Sequence, residues 1–194
     1  MPSSGPGRSA RLLDGKALAA RLRARLAGRI AALPFRPALR VVRVGDDPAS
    51  VVYVRNKDRA AAEAGFDSAT IVLPADTPEA ALLAEIGRLN ADPAVDGILV
   101  QLPLPPQIRA EAVLDALDPA KDVDGFHPVN AGLLATGRPR LVPCTPRGVM
   151  HLLAEAGVAL PGARVKIIGR STIVGRPLAQ LLIGADATVT VLHS

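Results

Sequence analysis

Apolar residues at Leu18, Leu22, Leu26 and Ile30 recur every fourth position, which predicts one amphipathic helix with Asp14 placed to cap it. The pattern then changes to LRVVRVG (39–45), a nearly continuous apolar run that reads as a buried strand. Asp47 and Pro48 read as the cap and first residue of a second helix, which carries Tyr53 and Lys57 and stops at Gly65. ATIVLP (69–74) is the next strand, and Thr77 with Pro78 opens another capped helix running to about Asn90. VDGILVQLPLP (95–105) reads as a strand that ends in a proline-rich loop. EAVLDAL (111–117) is a short helix, and DPAKDVDGFHPVNAGLL (118–134) reads as irregular.

A second α/β block is predicted from Thr145, with Pro146 as the start of a helix through RGVMHLLAEAG. It continues with strand ARVKIIG, loop GRSTIVGRP, helix PLAQLLIGA and strand ATVTVLHS. That order is the unit of a nucleotide-binding parallel sheet. The expected organisation is a disordered polar start over 1–10, an α/β domain over 11–144, and the first part of a Rossmann-type dinucleotide domain over 145–194. Two strands and a crossover bury too little for an independent sheet domain, so the second domain is expected to be incomplete.

Composition narrows the function classes. At 194 residues and 49% hydrophobic, the chain has material for one large core or two small ones. No apolar run approaches the roughly 18 residues that span a bilayer, and the first ten residues hold no signal-peptide core. A single cysteine, Cys144, excludes an internal disulfide and suits a reducing compartment, so the cytoplasm is expected. His127, His151 and His193 stand far apart and form no ligand pattern, so no metal is expected. The net charge of +5 is spread through helices and strands, and aromatics make up 2% of the chain. Nucleic acid is therefore not the expected partner.

Four residues apart on a helix, Tyr53 and Lys57 share a face, and Ser50 lies near it. Only four of the 23 basic residues are lysine. Arginine cannot give up its proton, whereas a buried lysine can, so the retained lysines are enriched in candidates for acid–base work. The alternative, a surface lysine beside a tyrosine packed on the core, is the one that spacing alone favours. Gln101 closes the strand GILVQ, where ligand crevices open in α/β sheets; its bland alternative is a strand-end amide bonded to the next loop. Asp122 and Asp124 could accept paired N–H groups of an amino-bearing ring, or simply build an Asp-Gly turn. His127 reads as a loop residue and Cys144 as a buried, unactivated thiol.

The loop Gly169 to Pro177 follows a strand and precedes a helix, the context of a phosphate cradle, although it is not GxGxxG. Gly169 and Gly175 permit close backbone approach, and Arg170 and Ser171 offer contacts to phosphate oxygens. About 25 residues beyond Gly169, where dinucleotide folds often place an acid on the ribose, stand His193 and Ser194. A serine with Arg170 suits a 2′-phosphate, so NADP is expected over NAD.

Taken together, VGDDPASVVYVRNK, DGILVQLPLP, KDVDGFHPVNAGLL, PCTPRGV and GRSTIVGRPLAQLL, in this order from about Leu12 to Ser194, resemble the bifunctional methylenetetrahydrofolate dehydrogenase/cyclohydrolase family. The resemblance implies NADP-dependent oxidation of 5,10-methylenetetrahydrofolate and hydrolysis of the methenyl product to 10-formyltetrahydrofolate. It implies Lys57 as the acid–base residue, Tyr53 against the folate, Gln101 holding Lys57, and Asp124 on the pterin amino group, with Ser50 and Leu102 beside them. Thr145, Gly169, Arg170, Ser171, Ile173, Gly175 and Ser194 would hold NADP. The resemblance further implies tetrahydrofolate derivatives as ligands, a homodimer in the full-length enzyme, and a continuation of the cofactor domain beyond the equivalent of Ser194. Competing expectations are a folate-binding or dimerising fragment without turnover, and a relative of the shikimate and amino-acid dehydrogenases.

Overall fold

The computed structural model describes residues 10–194, with the side chains of residues 48–53 excepted. The chain runs α1 (Gly15–Ala31), β1 (Ala38–Val44), α2 (Pro48–Ala64), β2 (Asp67–Leu73), α3 (Glu79–Ala91), β3 (Gly97–Val100) and α4 (Ala110–Ala116). It continues with α5 (Pro128–Ala135), α6 (Cys144–Glu155), β4 (Arg164–Ile168), α7 (Gly175–Ile183) and β5 (Thr188–Leu192). The described strands form two parallel sheets, β2-β1-β3 and β4-β5. This is the expected α/β architecture, a first α/β unit followed by a smaller nucleotide-fold-like one.

Strand β1 is central to the first sheet because both of its faces are covered. Val42 and Val44 join Leu82, Ile86 and Leu89 of α3, Ile98 and Val100 of β3 and Val113 of α4 in the main core. On the opposite face Val41 and Leu99 pack against Val54 of α2. Alternation along β1 thus fixes α2 and α3 on opposite sides, and parallel strands feeding crossover helices require that arrangement. The backbone of residues 121–123 extends the sheet beside β3. Ile98 N donates to Lys121 O at 2.7 Å, Val123 N donates to Ile98 O at 3.3 Å, and Ile98 pairs with Asp122 in a parallel bridge.

Several local expectations are corrected. In the α1 stripe Leu18 and Ile30 are buried but Leu26 is exposed. Asp14 does cap α1, its Oδ1 accepting from Ala17 N at 2.9 Å. Thr77 does not cap α3: Pro78 holds that position, while the Thr77 hydroxyl donates to Pro74 O at 2.6 Å. The stretch expected to be irregular contains α5, which starts where Pro128 occupies the first turn and His127 Nδ1 accepts from Val129 N at 3.0 Å. His127 is therefore a helix cap. Helix α6 opens at Cys144, two residues before Pro146.

Helix α1 touches both units. It packs on α2, and Arg21 meets Glu155 at the end of α6 at 2.6 Å while Arg11 Nη2 donates to Glu155 O at 2.9 Å. The small sheet is thinner. Ile167, Ala179 and Leu182 form its core, yet Ile168 is 88% exposed and Val191 and Leu192 are also exposed.

Candidate active site

A cleft of about 200 Å³ opens at the carboxyl end of β3, where the two units face each other. From the first unit come Lys57 of α2, Gln101 and Leu102 just past β3, and Asp124 with Phe126 from the following loop. Pro143, Cys144 and Thr145 at the start of α6, and Ile173 with Val174 before α7, complete it. A larger groove of about 480 Å³ lies between the ends of α1 and α2. Its guanidinium, Arg36, is committed to Gly65 O and Phe66 O at 3.3 and 3.2 Å, and its walls are mainly apolar. Convergent polar groups, more than volume, mark a reactive site, so the smaller cleft is the candidate.

Local structure explains how each side chain arrives. Val54 anchors α2 on the sheet, and Lys57 follows one turn later. Gln101 N donates to Val42 O at 2.8 Å, which continues the ladder by one residue. Its side-chain Nε2 donates to Leu102 O at 2.6 Å, leaving Oε1 buried and without a hydrogen-bond partner among the described residues. Such an orphan acceptor costs on the order of 1–3 kcal/mol unless a ligand or water satisfies it. The strand-end alternative for Gln101 is thus half realised: one end of the amide serves the loop, and the other remains available for a donor.

Charge in the cleft is mutually tuned. Burial pushes the Asp124 carboxyl up, Lys57 pulls it back down, and Asp122 adds a smaller upward push. Burial also pushes the Cys144 thiol up, and Asp124 adds to this while Lys57 and Arg147 oppose it. Cys144 as a residue is exposed at the cleft wall, a correction to the buried position expected; its thiol is nonetheless desolvated by the protein packed around it, and the raised pKa makes it a poor nucleophile.

Lys57, Gln101, Leu102, Asp124, Thr145 and Ile173 therefore meet in one cleft. Ser50 and Tyr53 lie on α2, and their side chains are outside the described residues. Gly169, Ser171 and Gly175 line an adjacent hollow of about 370 Å³ along β4 and α7. Arg170 and Ser194 are exposed and line neither. Ser194 follows β5, which is joined at its end to the loop by Gly169 N donating to Leu192 O at 2.8 Å. The Ser171 oxygen accepts from Val174 N and Gly175 N at 3.2 and 3.3 Å, where the loop enters α7, whose N-cap position Val174 holds, and Ser171 keeps its O–H as a donor.

Sequence reasoning missed the cleft positions of Phe126, Pro143 and Val174, because apolar loop residues carry no periodic signal. It also grouped Asp122 with Asp124. The structure separates them: Asp122 is 1% exposed and accepts from Gly125 N, His127 N and Asn130 Nδ2, which is the turn-building alternative.

Residues 13–124 match the family model described as tetrahydrofolate dehydrogenase/cyclohydrolase, catalytic domain, and residues 143–194 match its NAD(P)-binding domain. The chain is 67% identical over 186 residues to the bifunctional protein FolD of Acidiphilium cryptum, covering 96% of this chain and 67% of that protein. It is 54% identical over 186 residues to the bifunctional protein FolD of Thermus thermophilus, covering 96% of this chain and 66% of the relative. Among solved structures, the Campylobacter jejuni enzyme FolD superposes with a TM-score of 0.92 at 45% identity, covering 94% of this chain and 66% of that one. The Trypanosoma brucei enzyme complexed with NADP and an inhibitor gives 0.90 at 42% identity, covering 95% and 64%. The chain thus spans about two thirds of the length of these relatives.

Proposed function

The chain belongs to the tetrahydrofolate dehydrogenase/cyclohydrolase family, and on that premise we propose that its cleft binds one-carbon tetrahydrofolates, oxidising 5,10-methylenetetrahydrofolate with NADP and hydrolysing the methenyl product to 10-formyltetrahydrofolate. The observation that carries this is the convergence of Lys57, Gln101 and Asp124 from one unit with Thr145 and Ile173 from the other in a single cleft. Family membership also favours this chemistry over that of the shikimate and amino-acid dehydrogenases.

Lys57 supplies the proton transfers of hydrolysis, acting on the attacking water and the ring nitrogen. The orphan Gln101 Oε1 faces a ready role as acceptor from the Lys57 amine, orienting it. Asp124 accepts from the pterin amino group, Leu102 packs on the ring, and Tyr53 and Ser50 approach the folate from α2.

The loop between β4 and α7 fits a dinucleotide. A Cβ on Gly175 would stand 2.9 Å from the Arg170 Cα and collide with the Gly169 carbonyl, so the loop closes on itself only with glycine there. Beside Gly169 the space is open, with nothing within 4 Å of a Cβ position. Gly169, Ser171 O–H and the start of α7 would hold the diphosphate, Arg170 and Ser194 the 2′-phosphate, and Thr145 and Ile173 the nicotinamide end. Bound NADP supplies the hydride acceptor for the oxidation. The residues of the chain hold the two rings together, and proximity then supplies much of the rate.

Among the described residues no helix is long and apolar enough to cross a membrane. Work in the cytoplasm and pairing of two subunits through the cofactor-binding unit belong to the same proposal. Titration of the chain with both dinucleotides tests its cofactor half. NADP is expected to bind at least about tenfold more tightly than NAD, and Arg170→Ala to erase most of that gap by removing a charged contact to phosphate. Equal binding of NAD and NADP would remove Arg170 and Ser194 from cofactor selection.

A further inference from the structure

Asp124 stands at the third position of the turn Asp122-Val123-Asp124-Gly125, and Asp122 closes that turn twice. Gly125 N donates to the Asp122 backbone oxygen at 3.1 Å and to its Oδ1 at 3.1 Å. The second carboxylate oxygen accepts from His127 N at 2.8 Å and from Asn130 Nδ2 at 2.9 Å. Asp122 and Asn130 are both almost wholly buried. Asn130 Nδ2 also donates to Pro119 O at 2.9 Å. Two acceptors on Nδ2 fix the orientation of the amide, and its Oδ1 is left buried and without a hydrogen-bond partner among the described residues. Fold stability alone gives no reason to retain such an orphan, which costs on the order of 1–3 kcal/mol.

The rest of the loop is pinned independently. Lys121 Nζ donates to Leu89 O, Asn90 O and Asp92 O at 3.2, 2.7 and 2.8 Å, at the end of α3. A Cβ on Gly125 would lie 3.0 Å from the Leu141 and Val142 backbone, so the turn also abuts the segment leading into α6. Between these anchors, the only side chain gripping both flanks of Asp124 among the described hydrogen bonds is Asp122.

We propose that Asp122, oriented by Asn130, is a positioning residue that fixes where the Asp124 carboxylate stands in the cleft and thereby sets recognition of the amino-bearing ring. This deepens the function proposed above and rests on its assignment of Asp124 to the pterin amino group. The Asp122 charge also contributes to the upward push on Asp124, which gives the clasp a signature that is independent of folate.

Binding of tetrahydrofolate and of its 2-desamino analogue is measured for the wild-type chain, Asp122→Asn, Asn130→Ala, Asp124→Ala and the Asp122→Asn/Asp124→Ala double variant. The wild type should favour tetrahydrofolate by about tenfold or more, the scale of a hydrogen bond to a charged group. Asp122→Asn should lose most of that preference while binding the desamino analogue as before, and the double variant should be no worse than Asp124→Ala. Asn130→Ala, which keeps the carboxylate, should lose less. Retained preference in Asp122→Asn, or equal weakening toward both ligands, overturns the proposal. Carboxyl NMR titration of Asp124 separates the two levels of inference. Should the wild type show no amino preference, the folate assignment fails, and the clasp is then decided by NMR. A lowered Asp124 midpoint with faster Gly125 and His127 amide exchange in Asp122→Asn upholds it, and no change in either overturns it.

Discussion

Lys57→Met should leave folate binding in place while methenyltetrahydrofolate hydrolysis falls by about 10²–10⁴-fold, the usual contribution of a positioned acid–base group. Methionine keeps the length and packing of the lysine stem but has no proton to exchange. The helix should tolerate it, since α2 is held to the sheet through Val54 against Val41 and Leu99. The loss should appear in kcat, because Asp124, Gln101 and Leu102 still line the cleft. Lys57→Arg should rescue charge without rescuing rate, since a guanidinium does not deprotonate in this range. Hydrolysis unchanged in Lys57→Met would take Lys57 out of the mechanism.

Gly175→Val should weaken NADP binding at least about tenfold while the folate cleft continues to bind. The added Cβ meets Gly169 C and Arg170 Cα, both at 2.9 Å, and both are backbone-level atoms that cannot swing aside. Relief requires the loop to open, which moves Gly169 away from Leu192 and the α7 N-terminus away from the phosphates. Overpacking of this kind costs about 1–3 kcal/mol in stability, so a modest fall in the unfolding midpoint should accompany the loss. NADP affinity equal to wild type, read by fluorescence titration, would show that the loop does not hold the dinucleotide.

The parts of the fold that follow from repeating patterns were legible in the sequence. The strands around Val41, Ile71, Ile98, Ile167 and Val191 each follow from a short stretch rich in β-branched and apolar residues, and each is a strand. Helix α2 could be read from Asp47-Pro48 to Gly65 because its limits are chemical punctuation. Helix α5 could not be read, because its eight residues are too short for a clear period and its cap is a histidine, an unusual capping residue. Leu26 shows a limit of a different kind: a stripe names a face, while its burial depends on how far the partner element extends.

Motif content identified most of the candidate cleft, and tertiary structure sorted it. Lys57, Gln101 and Asp124 are 44 and 23 residues apart along the chain, and the β2-β1-β3 order with the bridge of Asp122 to Ile98 brings them to one edge. The distinction between Asp122 and Asp124 was invisible to spacing. Neighbouring residues along an extended segment point to opposite sides, but residues two apart share a side, so alternation alone would have paired them. The turn that begins at Asp122 breaks that rule, with one carboxylate turned onto the backbone and the other into the cleft.

The most direct measurement is the loss of methenyltetrahydrofolate absorbance on adding the 194-residue chain, followed over a range of substrate concentrations beside the buffer rate. Saturable decay that exceeds the buffer rate and is raised in KM by Asp124→Ala is the predicted result. Decay indistinguishable from buffer at every concentration, or saturable decay indifferent to Asp124, would contradict a hydrolytic folate site in this cleft.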